Sequence, residues 1–521
     1  MARILSEMAG SANSEAAHGP PAADTRGASI AAQQIPANRW SKRKLLLALV
    51  VLLMAGAFAF WHVSSWPTRL RYPGEQNFVE GMRLVEMAHL RQGVGIYAPP
   101  SPEGFDAAIY GPLYYLLGAR LIDPSAPAYW PLRLLSLLAT LGCAAGCALL
   151  AFWVARSFFA AALAPLIFLS YGFVSAHGLS ARSDMVALLL FFSGFLVAYR
   201  FRRSGAVLAA APLMALGVYY KQQFVAGPLA VFLFLLLEKR YKHAAQFVGL
   251  MALLGAMGLG ILEGLLFPGQ EFLHHFVSYN LLPYSFSQLS LGLFHLGLMF
   301  LVPLLLGLEF LRVQPDKLLG CYLASAVVLD LLSVGKSGSD SNYFLECALL
   351  LSVLVASLVT RNLSGPMSAA EIVALLGITL FFAQWFTRAA PQAEDFRRDQ
   401  AVQTYLRGNF APHALTLGTY PGDLIRAGLD TNVSDLFQYS QLVRNHSLPG
   451  GDLLAQLRQR RFAAIVIHFD LREKALRRPD RLPSSWTQAI LANYRLAATF
   501  DMPAPEKFLP EDRLFVWVPS P

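Results

Sequence analysis

The residues of this 521-residue chain that are able to do chemistry are ionisable groups stranded between apolar runs. The densest set lies from Arg71 to Tyr115, which reads Arg-Tyr-Pro-Gly-Glu75-Gln-Asn-Phe-Val-Glu80, then Ile96-Tyr97-Ala-Pro-Pro-Ser-Pro102, then Tyr110-Gly-Pro-Leu-Tyr-Tyr115. A carboxylate at a membrane surface between apolar walls has a raised pKa and can take the proton from an attacking hydroxyl. Glu75 follows Tyr72-Pro73-Gly74, which should halt or bend a helix, and is the first candidate for that role. A solvated loop glutamate is the plainer alternative. Glu80 is its rival, about a turn and a half further along a helix, so the two are not expected to face one substrate. Tyr97 and Tyr110 offer rings for stacking on a sugar, whereas Tyr114 and Tyr115 fit an interfacial aromatic belt better.

Further candidates stand at the ends of apolar runs. Arg182 and Asp184 open one run, and Asp184 lies deeper than a snorkelling side chain prefers, so pairing with a cation or a substrate group is expected. Lys221 stands between two short runs beside Gln222 and Gln223, and Lys336 lies in a Gly/Ser-rich turn. Each is a compact positive charge suited to a lipid phosphate. Asn342, Tyr343 and Glu346 follow Lys336 and join Glu80, Tyr97 and Tyr110 as substrate-binding candidates. Gly335-Lys336-Ser337 looks like the end of a phosphate loop, but Asp330 occupies the place of its first glycine, so nucleotide hydrolysis is rejected. His274 and His275 are adjacent and share no helix face, and no metal-ligand spacing occurs; no metal is expected.

The elements that must position these groups are membrane spans. Charged residues make up 14% of the chain against about 25% in soluble domains. Residues 1–38, rich in Ala, Ser, Gly and Pro, are expected to be a disordered cytoplasmic N-terminus. After Arg39, Lys42, Arg43 and Lys44, about eleven apolar runs of spanning length follow, near 45–61, 132–155, 158–175, 184–199, 205–220, 222–237, 244–266, 288–311, 318–334, 343–360 and 368–387. With a cytoplasmic N-terminus, the basic groups Arg156, Arg200 to Arg203, Lys239 to Lys242, Arg312 with Lys317, and Arg361 alternate onto one side, as the positive-inside rule requires. The long loop 62–131 and the candidate residues fall on the other side. Cys143, Cys147, Cys321 and Cys347 lie in or at the edge of apolar runs, so no disulfide framework is implied. Residues 388–521 have soluble composition, with strand patterns at Ala414–Gly418, Ala463–His468, Tyr494–Phe500 and Arg513–Val518 alternating with helices, which predicts a small α/β domain on the outer face. No Gly-x-Gly-x-x-Gly motif occurs.

A span, a long outer loop with a proximal acid, many further spans and an outer C-terminal domain resemble the GT-C class of membrane glycosyltransferases. More narrowly, the chain is similar to bacterial members of the family that contains protein O-mannosyltransferases and lipid A aminoarabinose transferases. The likeness rests on Tyr72-Pro-Gly-Glu75 with Gly93-Val-Gly-Ile-Tyr97 and Tyr110 to Tyr115, on Ala181-Arg-Ser-Asp184, on Tyr220-Lys-Gln-Gln223, and on Lys336 to Glu346. It implies a mostly α, polytopic fold with residues 39–387 as the membrane domain. It also implies a polyprenyl-phosphate sugar as donor, no cofactor, an acceptor hydroxyl on a glycan, lipid or protein, and a bacterial inner-membrane location. By carry-over Glu75 is the catalytic carboxylate, although many members carry an Asp-Glu pair where this chain has Gly74-Glu75. A lipid or solute transporter and a non-catalytic scaffold are the competing readings; polar groups gathered at one face and a soluble outer domain favour an enzyme.

Overall fold

The computed structural model describes residues 41–101, 104–473, 482–504 and 513–521. The N-terminus expected to be disordered and Pro102 lie outside these residues. Among the described residues, seven helical stretches are long and apolar enough to cross a membrane. They are α1 (Lys42–Val63) continued by the short α2 (Trp66–Arg71), α5 (Trp130–Ala155), α8 (Asp184–Phe201), α11 (Tyr241–Ile261) with its π-turn, α13 (Phe286–Val313), α14 (Lys317–Val334) and α15 (Leu345–Asn362). Helices α6 (Phe158–Leu169) and α7 (Gly172–Gly178) are bent by 76° and make an eighth crossing if taken together. The remaining predicted runs hold shorter apolar helices: α9 (Ala211–Val218) behind a 3-10 turn, α10 (Ala226–Leu237) and α16 (Ala369–Phe382). Against the expected eleven, the described residues hold seven or eight helices of spanning length, and three further predicted runs hold helices too short to meet that length.

The two ends of this bundle differ in chemistry. At one end the basic loops knit together: Arg240 donates to the carbonyls of Arg202 and Ser204, Arg202 pairs with Asp316 at 3.4 Å, and Lys317 pairs with Glu238 at 2.6 Å. Asp184 starts α8 and Arg200 lies in its last turn, so the candidate residues and the basic loops occupy opposite ends.

The loop after α2 folds into α3 (Phe78–Arg91) and α4 (Pro112–Leu121). Asn77 caps α3, its side chain accepting from the Val79 amide at 3.0 Å, and Pro112 starts α4, where its missing N–H costs nothing. A short α12 (Phe272–Phe276) lies in the loop before α13.

Beyond α16, α17 (Ala393–Asn409), α18 (Pro421–Arg426), α19 (Leu436–Arg444), α20 (Gly451–Arg458) and α21 (Ser484–Asn493) surround a five-stranded sheet of order β2-β1-β3-β5-β4. Its strands are β1 (Leu415–Gly418), β2 (Asp430–Thr431), β3 (Ala464–Ile467), β4 (Tyr494–Asp501) and β5 (Arg513–Pro519); all but the two-residue β2 lie close to predicted positions. β1 runs parallel to β2 and β3, and β5 is antiparallel to β3 and β4. Side chains alternate across the sheet: Ala464 and Val466 pack with Val402 and Leu406 of α17, while Ile465 and Ile467 pack with Leu436 of α19 and Trp486 of α21. That second core also takes in Phe105 and Tyr279 from membrane-domain loops. The Phe105 amide donates to the Asn432 carbonyl at 2.9 Å, and its own carbonyl accepts from Ser434 at 3.1 Å. The composition boundary near residue 388 is thus bridged by a shared core.

Candidate active site

Asp184 is the hub of the end opposite the basic loops. It begins α8 fully buried, and its Oδ2 accepts from Arg182 Nε at 2.9 Å. Its Oδ1 accepts from Lys221 Nζ at 2.6 Å and from Asn342 Nδ2 at 2.6 Å. Asn342 Nδ2 also reaches Gln223 Oε1 at 2.9 Å, and Arg182 Nη1 reaches Asp340 Oδ2 at 3.3 Å. Lys221 arrives from the break between α9 and α10, and Asn342 from the turn before α15. A buried carboxylate is tolerated when its charge and lone pairs are both matched, and here two cations and an amide do so.

Of these groups Arg182, Lys221, Gln223 and Asn342 border a cavity of roughly 530 Å³. Arg182, Lys221 and Lys336 line it together with Arg83 of α3, which the sequence did not single out. Tyr110 lies between two cations, 4.8 Å from the Arg83 guanidinium and 4.5 Å from Lys221 Nζ, measured to its ring centre. Lys336 donates to the Asn280 carbonyl at 3.2 Å; burial, and then the charge of Lys221, hold its ammonium down to about 8. Asn342 and Tyr343 also line the cavity, as do Asp435, Phe437 and Gln438 at the start of α19 in the C-terminal domain. Leu281 and Leu332 give the lining an apolar flank, and both are largely exposed, at 74% and 64%. The cavity is therefore cationic inside and greasy at its side, a shape suited to an anionic headgroup on a hydrocarbon chain.

Four sequence candidates lie off this wall. Glu75 is fully buried beneath α18. Its Oε1 accepts from the Gly422 amide at 3.0 Å, and its Oε2 has no hydrogen-bond partner among the described residues. Burial, and then the charges of Asp423 and Glu80, push the Glu75 carboxyl well above the usual range. The approach is so close that a Cβ on Gly81 would lie 2.1 Å from Glu75 Oε1, and one on Gly422 would lie 2.7 Å from the Gly81 Cα. Glu80 is a structural tie: it accepts from Arg133 Nε at 3.0 Å and Nη2 at 2.7 Å, from the Gln76 amide at 2.7 Å and from the Ala181 amide at 2.6 Å. Tyr97 sits in an aromatic cluster with Phe267, Phe272 and His275, its hydroxyl donating to the Tyr110 carbonyl at 3.0 Å. Glu346 accepts from the Tyr322 hydroxyl at 3.0 Å inside the bundle.

No group of three or more His, Cys, Asp or Glu among the described residues is placed to hold a metal ion. All four cysteines are buried and unbridged.

No family model matches the chain, and no curated protein sequence does. Its fold has solved counterparts. The crystal structure of ArnT from Cupriavidus metallidurans in the apo state superposes with a TM-score of 0.52 at 12% identity, covering 91% of this chain and 97% of that one. ArnT from Cupriavidus metallidurans bound to undecaprenyl phosphate superposes with the same score at 13% identity and the same coverage. Archaeal oligosaccharyltransferase AglB from Archaeoglobus fulgidus, in complex with an inhibitory peptide and a dolichol-phosphate, gives a TM-score of 0.49 at 15% identity over 92% of this chain and 77% of that one. The match to ArnT runs through both membrane and C-terminal portions, so the chain has a GT-C-type fold.

Proposed function

We propose that this protein is an integral membrane glycosyltransferase that moves a sugar from a polyprenyl-phosphate donor to an acceptor hydroxyl at the outer face of a bacterial inner membrane. The observation that carries this reading is the cavity where Arg83, Arg182, Lys221 and Lys336 converge beside an apolar flank. The flank would take the first isoprene units and the cations would take the phosphate. As the sugar leaves, the phosphate gains a second negative charge, and cations fixed near it stabilise that change with little reorganisation. The phosphate ester already activates the sugar, so the transfer calls for no nucleotide; direct displacement would invert the anomeric centre. Undecaprenyl phosphate bound to ArnT, a protein of the same fold, supports the choice of lipid. The basic loops at the other end of the bundle support a cytoplasmic N-terminus and an outer-face site.

In this reading Arg182, Lys221 and Lys336 hold the donor phosphate, while Tyr110, Asn342 and Tyr343 border the sugar. Glu75, the base suggested by the sequence, serves only if α18 lifts from it. Comparison of cell-envelope glycans from cells with and without the protein tests the reading: a glycan that loses a sugar in its absence and regains it on complementation supports transfer. Unchanged glycans together with no binding of undecaprenyl phosphate to the purified chain contradict it.

A further inference from the structure

We propose that the end of the bundle opposite the candidate site carries a second binding site, a pocket for the headgroup of an anionic phospholipid in the adjacent leaflet. This inference does not depend on the glycosyltransferase reading. A cavity of roughly 570 Å³ opens there between the C-terminal turns of α5 and α8. Arg156, Arg200, Arg202 and Arg203 line it, and none of the described lining residues is an Asp or a Glu. Arg202 has a carboxylate partner, Asp316 at 3.4 Å, which also caps α14 and accepts from the Tyr199 hydroxyl at 3.0 Å. Arg156, Arg200 and Arg203 make no ion pair among the described residues. Elsewhere at this end Lys317 pairs with Glu238, Arg312 with Glu309, and Arg240 donates to two backbone carbonyls. The positive-inside bias asks only that basic residues lie at one end; it does not call for three unmatched guanidinium groups around one hollow.

The walls suit a lipid better than a soluble anion. Trp153 and Tyr199 stack at 6.3 Å with their planes 4° apart, and the Arg202 guanidinium lies 3.9 Å from the centre of the Tyr199 ring. Such rings favour the membrane–water boundary, and the stack holds one guanidinium in place. Phe201 lines the cavity and is 42% exposed; Phe152, also on the wall, sets its ring 5.0 Å from that of Phe158, which is 82% exposed. Acyl chains would follow these exposed rings while the headgroup meets the arginines. Arg156 ends α5 with a φ of 50°, a left-handed conformation that glycine takes freely and that strains a residue with a Cβ. An arginine there accepts backbone strain and places its guanidinium at the cavity wall. Guanidinium forks hold phosphate oxygens in pairs, and basic hollows between membrane helices take anionic headgroups. Three unmatched charges fit a headgroup with two phosphodiesters, the chemistry of diphosphatidylglycerol.

The test uses the full chain, purified in detergent and titrated with diphosphatidylglycerol or with phosphatidylcholine; bound lipid is followed by native mass spectrometry, and thermal unfolding is recorded without added lipid. Diphosphatidylglycerol should bind and phosphatidylcholine should not, and excess inorganic phosphate should leave the bound lipid in place. Arg156→Gly removes the charge and relieves the strain, so it should unfold no earlier than the parent chain yet bind diphosphatidylglycerol about fivefold more weakly. Arg200→Ala combined with Arg203→Ala should weaken binding further. Arg312→Ala, which removes a paired charge outside the cavity, should bind like the parent chain. Unchanged binding in both cavity variants overturns the proposal. So does an equal loss in Arg312→Ala, which marks diffuse surface charge, or a loss that comes with earlier unfolding in both cavity variants, which marks structural arginines. Equal binding of phosphatidylcholine, or displacement of the lipid by inorganic phosphate, overturns the anionic lipid as the occupant.

Discussion

Two carboxylate-bearing regions sit at the same end of this molecule and are built on opposite plans. Around Glu75 and Glu80 everything is sealed: Arg133 is consumed by Glu80, and Gly422 and Gly81 close over Glu75. Asp184 is itself buried, but its partners Arg182, Lys221 and Asn342 border open space, in a cavity lined by four cations and flanked by an apolar side. A buried carboxyl with a raised pKa is often taken as a sign of catalysis. Here Glu75, whose carboxyl is held well above the usual range, is fully buried and does not line the cavity. Access separates the two regions more cleanly than titration does.

The contrast can be broken or sharpened by substitution. The largest effect is expected from Glu80→Ala, which leaves the Arg133 guanidinium buried without its counter-ion. A loss of about 3–5 kcal/mol of stability should follow in thermal or denaturant unfolding of the purified chain. Asp184→Ala removes the same kind of partner from Arg182 and Lys221 and should cost less, because both border the cavity and can take water. Equal losses would mean the cavity is not hydrated. Gly422→Ala comes next, since its Cβ would lie 1.8 Å from the Tyr129 hydroxyl and 2.5 Å from Glu75 Oε1. About 1–3 kcal/mol of overpacking strain should loosen α18, read as faster proteolysis of the C-terminal domain.

The smallest effect is on pH dependence. Glu75 is held well above its usual range, and Asp423 is pushed to about 7 by burial and by Asp399, against the pull of Arg426. Carboxyls whose folded pKa is raised stabilise the native state below their ordinary value near about 4, and that contribution is lost as pH rises through the folded value. Thermal stability of the parent chain should therefore fall between about pH 4 and pH 7, and Glu75→Gln should flatten that fall. An unchanged slope would show that Glu75 is not the group that titrates.

How much of this was legible in the sequence follows from the range of each signal. Span positions were readable because the bilayer fixes a minimum length, and the strands of the C-terminal domain were readable from apolar alternation. The grouping of Arg182, Asp184, Lys221, Lys336 and Asn342 at one end followed from the alternating basic loops. Tyr97 was visible as an aromatic, but its ring is enclosed by residues from the loop before α13. Glu75 shows why the remainder was hidden: the amide that covers it comes from 347 residues further along the chain. Arg83 and Asp435 belong to different domains, and nothing local in either sequence neighbourhood announces a shared cavity. The Phe105 bridge to Val433 is made by two backbone hydrogen bonds and carries no compositional mark.

The central claim is that the cationic cavity holds the phosphate of a lipid carrier, and titration of the full chain in nanodiscs with undecaprenyl phosphate tests it most directly. Saturable binding that weakens with salt and falls about tenfold in Lys336→Ala, equivalent to about 1.4 kcal/mol, is the expected result. Binding of equal strength in Lys336→Ala, Lys221→Ala and the parent chain would contradict it.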